Sequence, residues 1–184
     1  MAPAQSIDKR LSIPPDVRHN GVLILFHQDR KSPQLIYTLR SNNLADHSGQ
    51  VCFPGGSVEP YETLEETAIR EVYEEIGLKV EPSHIIGKLT PLYVPPSGNI
   101  IHPFMAYQDD IADFTLQPEE VSEAFRTSMD DLINEDNMKS ETWNYKGQSL
   151  DVPFWNLHRV PLWGATAMIT SELIEIYRQF LRQN

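Results

Sequence analysis

The stretch from Glu62 to Gly77 restricts the fold of this chain more than any other. Leu64, Ala68, Val72 and Ile76 recur every four residues with Ile69 beside them. That spacing draws one apolar stripe along a helix and fits no strand, whose side chains alternate between two faces. Gly77 ends the pattern, as a glycine in the C′ position does.

The same stretch is strongly acidic. Seven glutamates stand against one arginine between residues 59 and 75, which taken alone is the composition of a solvated helix face. The spacing of three of them says more. Glu71, Glu74 and Glu75 sit at i, i+3 and i+4, and at 100° per residue they share an arc of roughly 100°. Like charges so placed repel, and a cation among them removes the cost. Hard carboxylate oxygens suit Mg²⁺ or Mn²⁺, and Mg²⁺ takes waters and phosphate oxygens as its remaining ligands. Gly55-Gly56 just upstream form a turn whose backbone N–H groups can meet phosphate. Arg70, beside Glu71, can pair with a carboxylate and hold it in place.

The bulk composition narrows the setting. The net charge is −11 and no Lys/Arg cluster appears, so nucleic-acid backbone is not an expected partner. The longest apolar run, Val22–Phe26, is too short to span a bilayer. The N-terminal MAPAQSIDKR has no apolar signal core, and Cys52 is the single cysteine, so a reducing, cytoplasmic setting is expected. With 184 residues the chain is expected to form one domain over 1–184, residues 1–20 being an arm or short helix. Strands are expected at Gly21–His27, Leu35–Arg40, Ile85–Val94 and Ile100–Tyr107, with a loop over Ser41–Gly56. Glu119–Met129 reads as an acidic loop or strand and Asp130–Asn134 as a helical turn. Thr142–Tyr145 and Ser149–Phe154 read as a hairpin around Lys146-Gly147, and Gly164–Leu181 as a last amphipathic helix. Strands bracketed by helices suggest a sheet sandwiched between them.

Gly56, Glu62, Arg70-Glu71, Val72, Glu74-Glu75, Gly77 and Leu78 stand at the spacings of the Nudix box and match it at every specified position. A chance match in a chain of this length is on the order of 10⁻⁷ at ordinary residue usage. The chain therefore resembles the Nudix hydrolases. The resemblance implies an α/β fold, an α/β/α sandwich with a mixed central sheet, and cleavage of a nucleotide diphosphate linkage by water with Mg²⁺ or Mn²⁺. It gives Glu71, Glu74 and Glu75 to the metal, with Glu74 and Glu75 also counted as catalytic. Arg70 would orient the glutamates, and Gly56 would let the loop backbone approach the metal site. The base would be a box glutamate or one from a later loop; among Glu119, Glu120 and Glu123, we choose Glu120. Cys52, beside Phe53, reads as a small packing residue and not a nucleophile.

Upstream, IYTLRSNNLADHSGQVCFPGG resembles the second motif of the coenzyme A diphosphatases in that family, with Thr38, Arg40, Ser41, Gly49, Phe53, Pro54, Gly55 and Gly56 in place. The segment His158–Ile169 looks like that subfamily's last helix. Tyr37 replaces a leucine and Ala45 an arginine, and alanine cannot grip a phosphate as arginine does. Arg40 is then the candidate for substrate phosphate, with the Gly55-Gly56 backbone. His47 reads as a cap on its loop, and His102 and Trp163 as packing residues. The implied substrate is a small nucleotide, coenzyme A or an acyl-coenzyme A. Other nucleoside diphosphate derivatives (ADP-ribose, a dinucleotide, a nucleoside triphosphate) and a Nudix-fold binding module without turnover are the alternatives. No membrane partner is expected, and a homodimer is left open.

Overall fold

The computed structural model describes residues 16–28, 32–44, 47–145 and 148–183. Most of the expected arm, Ala45 and the Lys146-Gly147 turn lie outside these residues. Among the described residues ten strands and three α-helices follow one another: β1 (Arg18–Gln28), β2 (Pro33–Arg40), β3 (Val51–Cys52), β4 (Gly55–Ser57), α1 (Leu64–Ile76), β5 (Ile85–Lys88), β6 (Leu92–Val94), β7 (Asn99–Gln108), β8 (Val121–Ser128), α2 (Met129–Ile133), β9 (Met138–Tyr145), β10 (Gln148–Trp155) and α3 (Gly164–Gln183). The main sheet runs β3-β2-β1-β7-β5, with β4 on β1, β6 on β7 and β8 on β2. β1 and β7 are parallel in unbroken register from Arg18↔Asn99 to His27↔Gln108, while β2 pairs antiparallel with β1, β3 and β8. The sheet is therefore mixed. β9 and β10 form a separate antiparallel hairpin.

Side chains alternate along the central strands, and both faces are covered. Leu23, Leu25 and Ile36 pack with Ala68, Val72 and Ile76 of α1. Ile24, Leu35, Tyr37 and Leu39 pack with Ile169, Leu173 and Ile174 of α3 and with Met129 and Leu132 of α2. Each fully buried Leu or Ile contributes roughly 1.5–3 kcal/mol. The buried Tyr37 hydroxyl lies 3.0 Å from the Thr170 hydroxyl and ties β2 to α3. This is the expected α/β/α sandwich.

The stripe of α1 faces the sheet, but the helix begins at Leu64, not at Glu62. Thr63 caps it: its hydroxyl accepts from the Glu66 N–H while the Glu66 side chain accepts from the Thr63 N–H, a reciprocal arrangement that satisfies two otherwise unpaired donors. Gly77 closes the helix at φ 74°, its N–H donating to the Tyr73 carbonyl at 2.9 Å. The single strand expected over Ile85–Val94 is two, β5 and β6. Pro91, which has no N–H to give to a ladder, lies between them. The expected loop Ser41–Gly56 contains β3 and begins β4, and Glu119–Met129 resolves into β8.

Candidate active site

β4 lies antiparallel on β1, with Gly56 opposite Gly21, and runs under α1. A Cβ on Gly56 would stand 2.1 Å from Glu71 Oε1. Only glycine lets that carboxylate approach the strand backbone so closely. Gly55 is equally confined, since a Cβ there would meet the Gly21 carbonyl at 2.5 Å.

Arg70 organises the outer side of the site. Its Nε and Nη2 donate to the two Glu62 oxygens at 3.0 and 2.9 Å. Nη1 donates to Glu71 at 2.9 Å and Glu74 at 2.7 Å, and Nη2 also reaches the Ser57 carbonyl at 3.3 Å. A two-pronged guanidinium–carboxylate pair is the strongest form of such a contact. It holds the Glu62 carboxyl at about 2, well below the usual carboxylate range, chiefly through the Arg70 hydrogen bonds. One arginine thus fixes three carboxylates and the loop backbone.

The expected trio of Glu71, Glu74 and Glu75 divides. On the helix, Glu74 and Glu75 fall on opposite sides of Glu71. Glu75 shares the face of Val72 and Ile76 and is buried, 1% exposed. The Glu74 side chain is 52% exposed and held by Arg70. Glu120, carried by the loop before β8, takes the third place: Glu71, Glu75 and Glu120 each offer an oxygen, all within 4.8 Å of one another. The loop reaches that position along the end of α1, with Thr115 N–H donating to the Ile76 carbonyl and Gln117 N–H to the Glu75 carbonyl, both at 2.9 Å. The Ser41 N–H donates to the Glu120 carbonyl at 2.8 Å.

Glu75 is out of balance as it stands. Its Oε2 is buried with no hydrogen-bond partner. Burial raises its pKa to about 8, the neighbouring Glu71 and Glu120 push the same way, and Arg40 pulls back. Arg40 Nη1 stands 3.8 Å from Glu75 Oε1, and Arg40 Nε is itself buried without a partner. Burial also raises the Glu71 carboxyl, against the Arg70 hydrogen bond. Three converging carboxylates, one of them buried with an oxygen left unpaired, offer only oxygen donors and fit a hard divalent cation.

The other candidates sit as follows. The Cys52 thiol is raised to about 11 by burial and then by Glu75, and its Sγ rests 3.2 Å from the Thr38 hydroxyl, so it stays a packing thiol. His47 adopts φ 56° and bonds Gln50 across its own loop at 3.2 Å. His102 stacks on His19, and Trp163 meets Trp143 edge-on. Glu119 is exposed. Glu123 turns away to His158 at 3.1 Å and to Arg159, and His158 lies flat against Phe125 at 4.4 Å. Sequence reasoning misses the Glu123–His158–Arg159 group as a unit, because 35 residues separate Glu123 from His158 and only β8 and the segment before α3 bring them together.

Comparison with known proteins agrees with the geometry. Residues 17–146 match the NUDIX domain. The chain is 35% identical over 163 residues to the human mitochondrial coenzyme A diphosphatase NUDT8, covering 85% of this chain and 68% of that protein. It is 30% identical to an uncharacterized Nudix hydrolase, NudL, of Photorhabdus laumondii, covering 91% and 88%. Among solved structures, the NUDIX domain of Shewanella oneidensis NrtR, crystallised with ADP ribose, superposes with a TM-score of 0.58 at 18% identity, covering 89% of this chain and 87% of that one. An unbroken box on a capped helix, a mixed sheet between two helical layers and relatives spanning most of its length together show that this chain belongs to the Nudix hydrolase family.

Proposed function

We propose that the protein hydrolyses a nucleotide diphosphate linkage with Mg²⁺ or Mn²⁺, and that its substrate is coenzyme A or an acyl-coenzyme A. Water adds across the P–O–P bridge, giving adenosine 3′,5′-bisphosphate and the (acyl-)4′-phosphopantetheine half. The observation that carries the reading is the convergence of Glu71, Glu75 and Glu120, with Glu75 buried and one oxygen unpaired. These three would hold the cation, and Glu74 would stand at the rim of the site through Arg70. A bound divalent ion neutralises phosphate charge and makes water a stronger nucleophile at neutral pH.

The chain's own residues do the rest. Arg70 fixes Glu62, Glu71 and Glu74 in one arrangement before substrate arrives, so the site is preorganised. Gly55 and Gly56 keep the β4 backbone free of side chains where the diphosphate would pass. Arg40, with a guanidinium that makes no hydrogen bond at Nε, is the cation available to phosphate oxygens. Glu120 is exposed and at the mouth of the cluster, where it can accept a proton from the attacking water.

The coenzyme A assignment is supported by the upstream motif and by the name of the human relative. A second reading, another nucleoside diphosphate derivative such as ADP-ribose, is favoured by Ala45 in the place of a phosphate-gripping arginine. No helix of the described residues is long and apolar enough to cross a membrane, and the lone thiol supports a reducing compartment, in our reading the cytoplasm. The test is turnover with Mg²⁺ or Mn²⁺ on coenzyme A, ADP-ribose, a dinucleoside polyphosphate and a nucleoside triphosphate. Cleavage of coenzyme A alone is expected. Cleavage of ADP-ribose instead would move the assignment, and binding without turnover on every substrate would leave a binding module.

A further inference from the structure

The two arginines at the site are committed very differently. Arg70 spends all three of its guanidinium nitrogens on hydrogen bonds to Glu62, Glu71, Glu74 and Ser57. Arg40 faces Glu75 across 3.8 Å, an ion-pair distance longer than a hydrogen bond. Its Nε is buried with nothing to donate to, and Glu75 Oε2 is buried with nothing to accept from. The Arg40 guanidinium also leans on the Cys52 thiol, which is only a weak acceptor. The two side chains are thus neighbours without a hydrogen bond between them, and each keeps one unpaired polar atom inside the same small site. The Arg40 side chain is 26% exposed against 2% for Glu75, so the arginine is the partner with room to move toward solvent.

Two cations cannot both be the near neighbour of Glu75 without repelling one another. Resting on the metal-dependent reading above, we propose that in the metal-free protein the Arg40 guanidinium stands where a divalent cation would approach Glu75. A divalent cation displaces it, and the displaced guanidinium is then free for the diphosphate oxygens of the substrate. Arg40 thereby couples the two binding events: it weakens cation binding when no anion is present and strengthens anion binding once the cation is in. By linkage, whatever Arg40 does to the cation, the cation does in equal measure to the availability of Arg40.

The experiment is calorimetric titration of Mn²⁺ alone, with no nucleotide, into the wild type, Arg40→Gln and Arg40→Lys. Removing the competing charge is expected to tighten Mn²⁺ binding on the order of tenfold in R40Q, while R40K, which keeps the charge, stays near the wild type. Equal or weaker binding in R40Q overturns the coupling and leaves the hydrolase reading standing. Absence of Mn²⁺ binding in all three proteins overturns both. A second measurement needs no variant: labelling of the native protein with phenylglyoxal, followed by peptide mass mapping. Mn²⁺ is expected to raise the labelling rate of Arg40 several-fold and to leave Arg70 slow. An Arg40 rate that Mn²⁺ leaves unchanged, or lowers, overturns the proposal even if R40Q does not fold.

Discussion

The Gln117 N–H donates to the Glu75 carbonyl at 2.9 Å, so the loop that carries Glu120 is fastened to the last turn of the helix that carries Glu71 and Glu75. The backbone of one glutamate thereby sets the position of another. Gln117→Pro removes that donor and keeps every carboxylate. It is expected to cost about 1 kcal/mol of stability, read by urea unfolding, and to weaken Mn²⁺ binding in calorimetry because Glu120 is no longer held over the pair. Unchanged Mn²⁺ affinity would mean that the Thr115 and Ser41 bonds hold Glu120 in place without the Gln117 bond.

Glu75→Gln separates the chemistry from the fold. The variant is expected to lose activity by orders of magnitude while remaining folded. Its stability should also differ from the wild type in a pH-dependent way. The Glu75 pKa is raised from 4.5 to about 8 in the metal-free protein. Below 4.5 both folded and unfolded chains hold the proton; above it only the folded chain does, so the wild type loses stability as pH rises through that window. Relative to E75Q, the wild type should weaken by about 3 kcal/mol between pH 5 and 8, and saturating Mn²⁺ should abolish the slope. Parallel curves for the two proteins would contradict the burial of an ionisable Glu75.

Glu62 has the opposite sign. Its pKa is depressed to about 2 by Arg70, so its contribution is full above the unfolded value near 4.5 and fades as pH falls toward 2. Glu62→Gln is expected to cost roughly 1–3 kcal/mol at pH 7, and the gap to the wild type should close on acidification. Denaturant midpoints at pH 7, 4 and 3 would measure it.

Tyr61 is fully exposed and held at φ 74°. A left-handed conformation costs a non-glycine residue roughly 1–2 kcal/mol, and glycine returns roughly 0.5–1 kcal/mol of that as extra chain entropy. Tyr61→Gly is therefore expected to stabilise by up to about 1 kcal/mol, a rise in Tm of about 2–4 °C for a chain of this size, with kcat unchanged. A fall in Tm on calorimetric scanning would mean that the tyrosine ring stabilises the loop more than its backbone strains it.

Those elements whose residues repeat with a period were legible in the sequence. The stripe of α1, the Gly77 stop and the apolar runs of β1 and β2 all announce themselves within a few residues. β3 and β4, two and three residues long, are too short to show a period, and the break at Pro91 was submerged in the apolar run around it. At the site, the box singled out glutamates that share one side of the helix, and the structure separates them. A helical arc shows which carboxylates share a side; it does not show that Glu75 turns under the sheet while Glu74 is drawn out to Arg70. The place of Glu120 depends on hydrogen bonds between a loop and the end of α1, which no local pattern encodes. Nothing local distinguishes Glu120 from Glu119 and Glu123; that Glu123 turns toward His158 and Arg159 is a matter of tertiary contact.

The parallel pairing of β1 with β7 joins strands that lie on either side of the Nudix box in the chain, with Arg18 beside Asn99. Contacts so distant in sequence must bear the entropy of closing a long loop before they return any stability. The carboxylate cluster draws on groups on both sides of β7 in the chain, so it assembles only when that pairing is made. Folding should accordingly be slow for the protein's size, and neither half, produced separately, should carry the cluster.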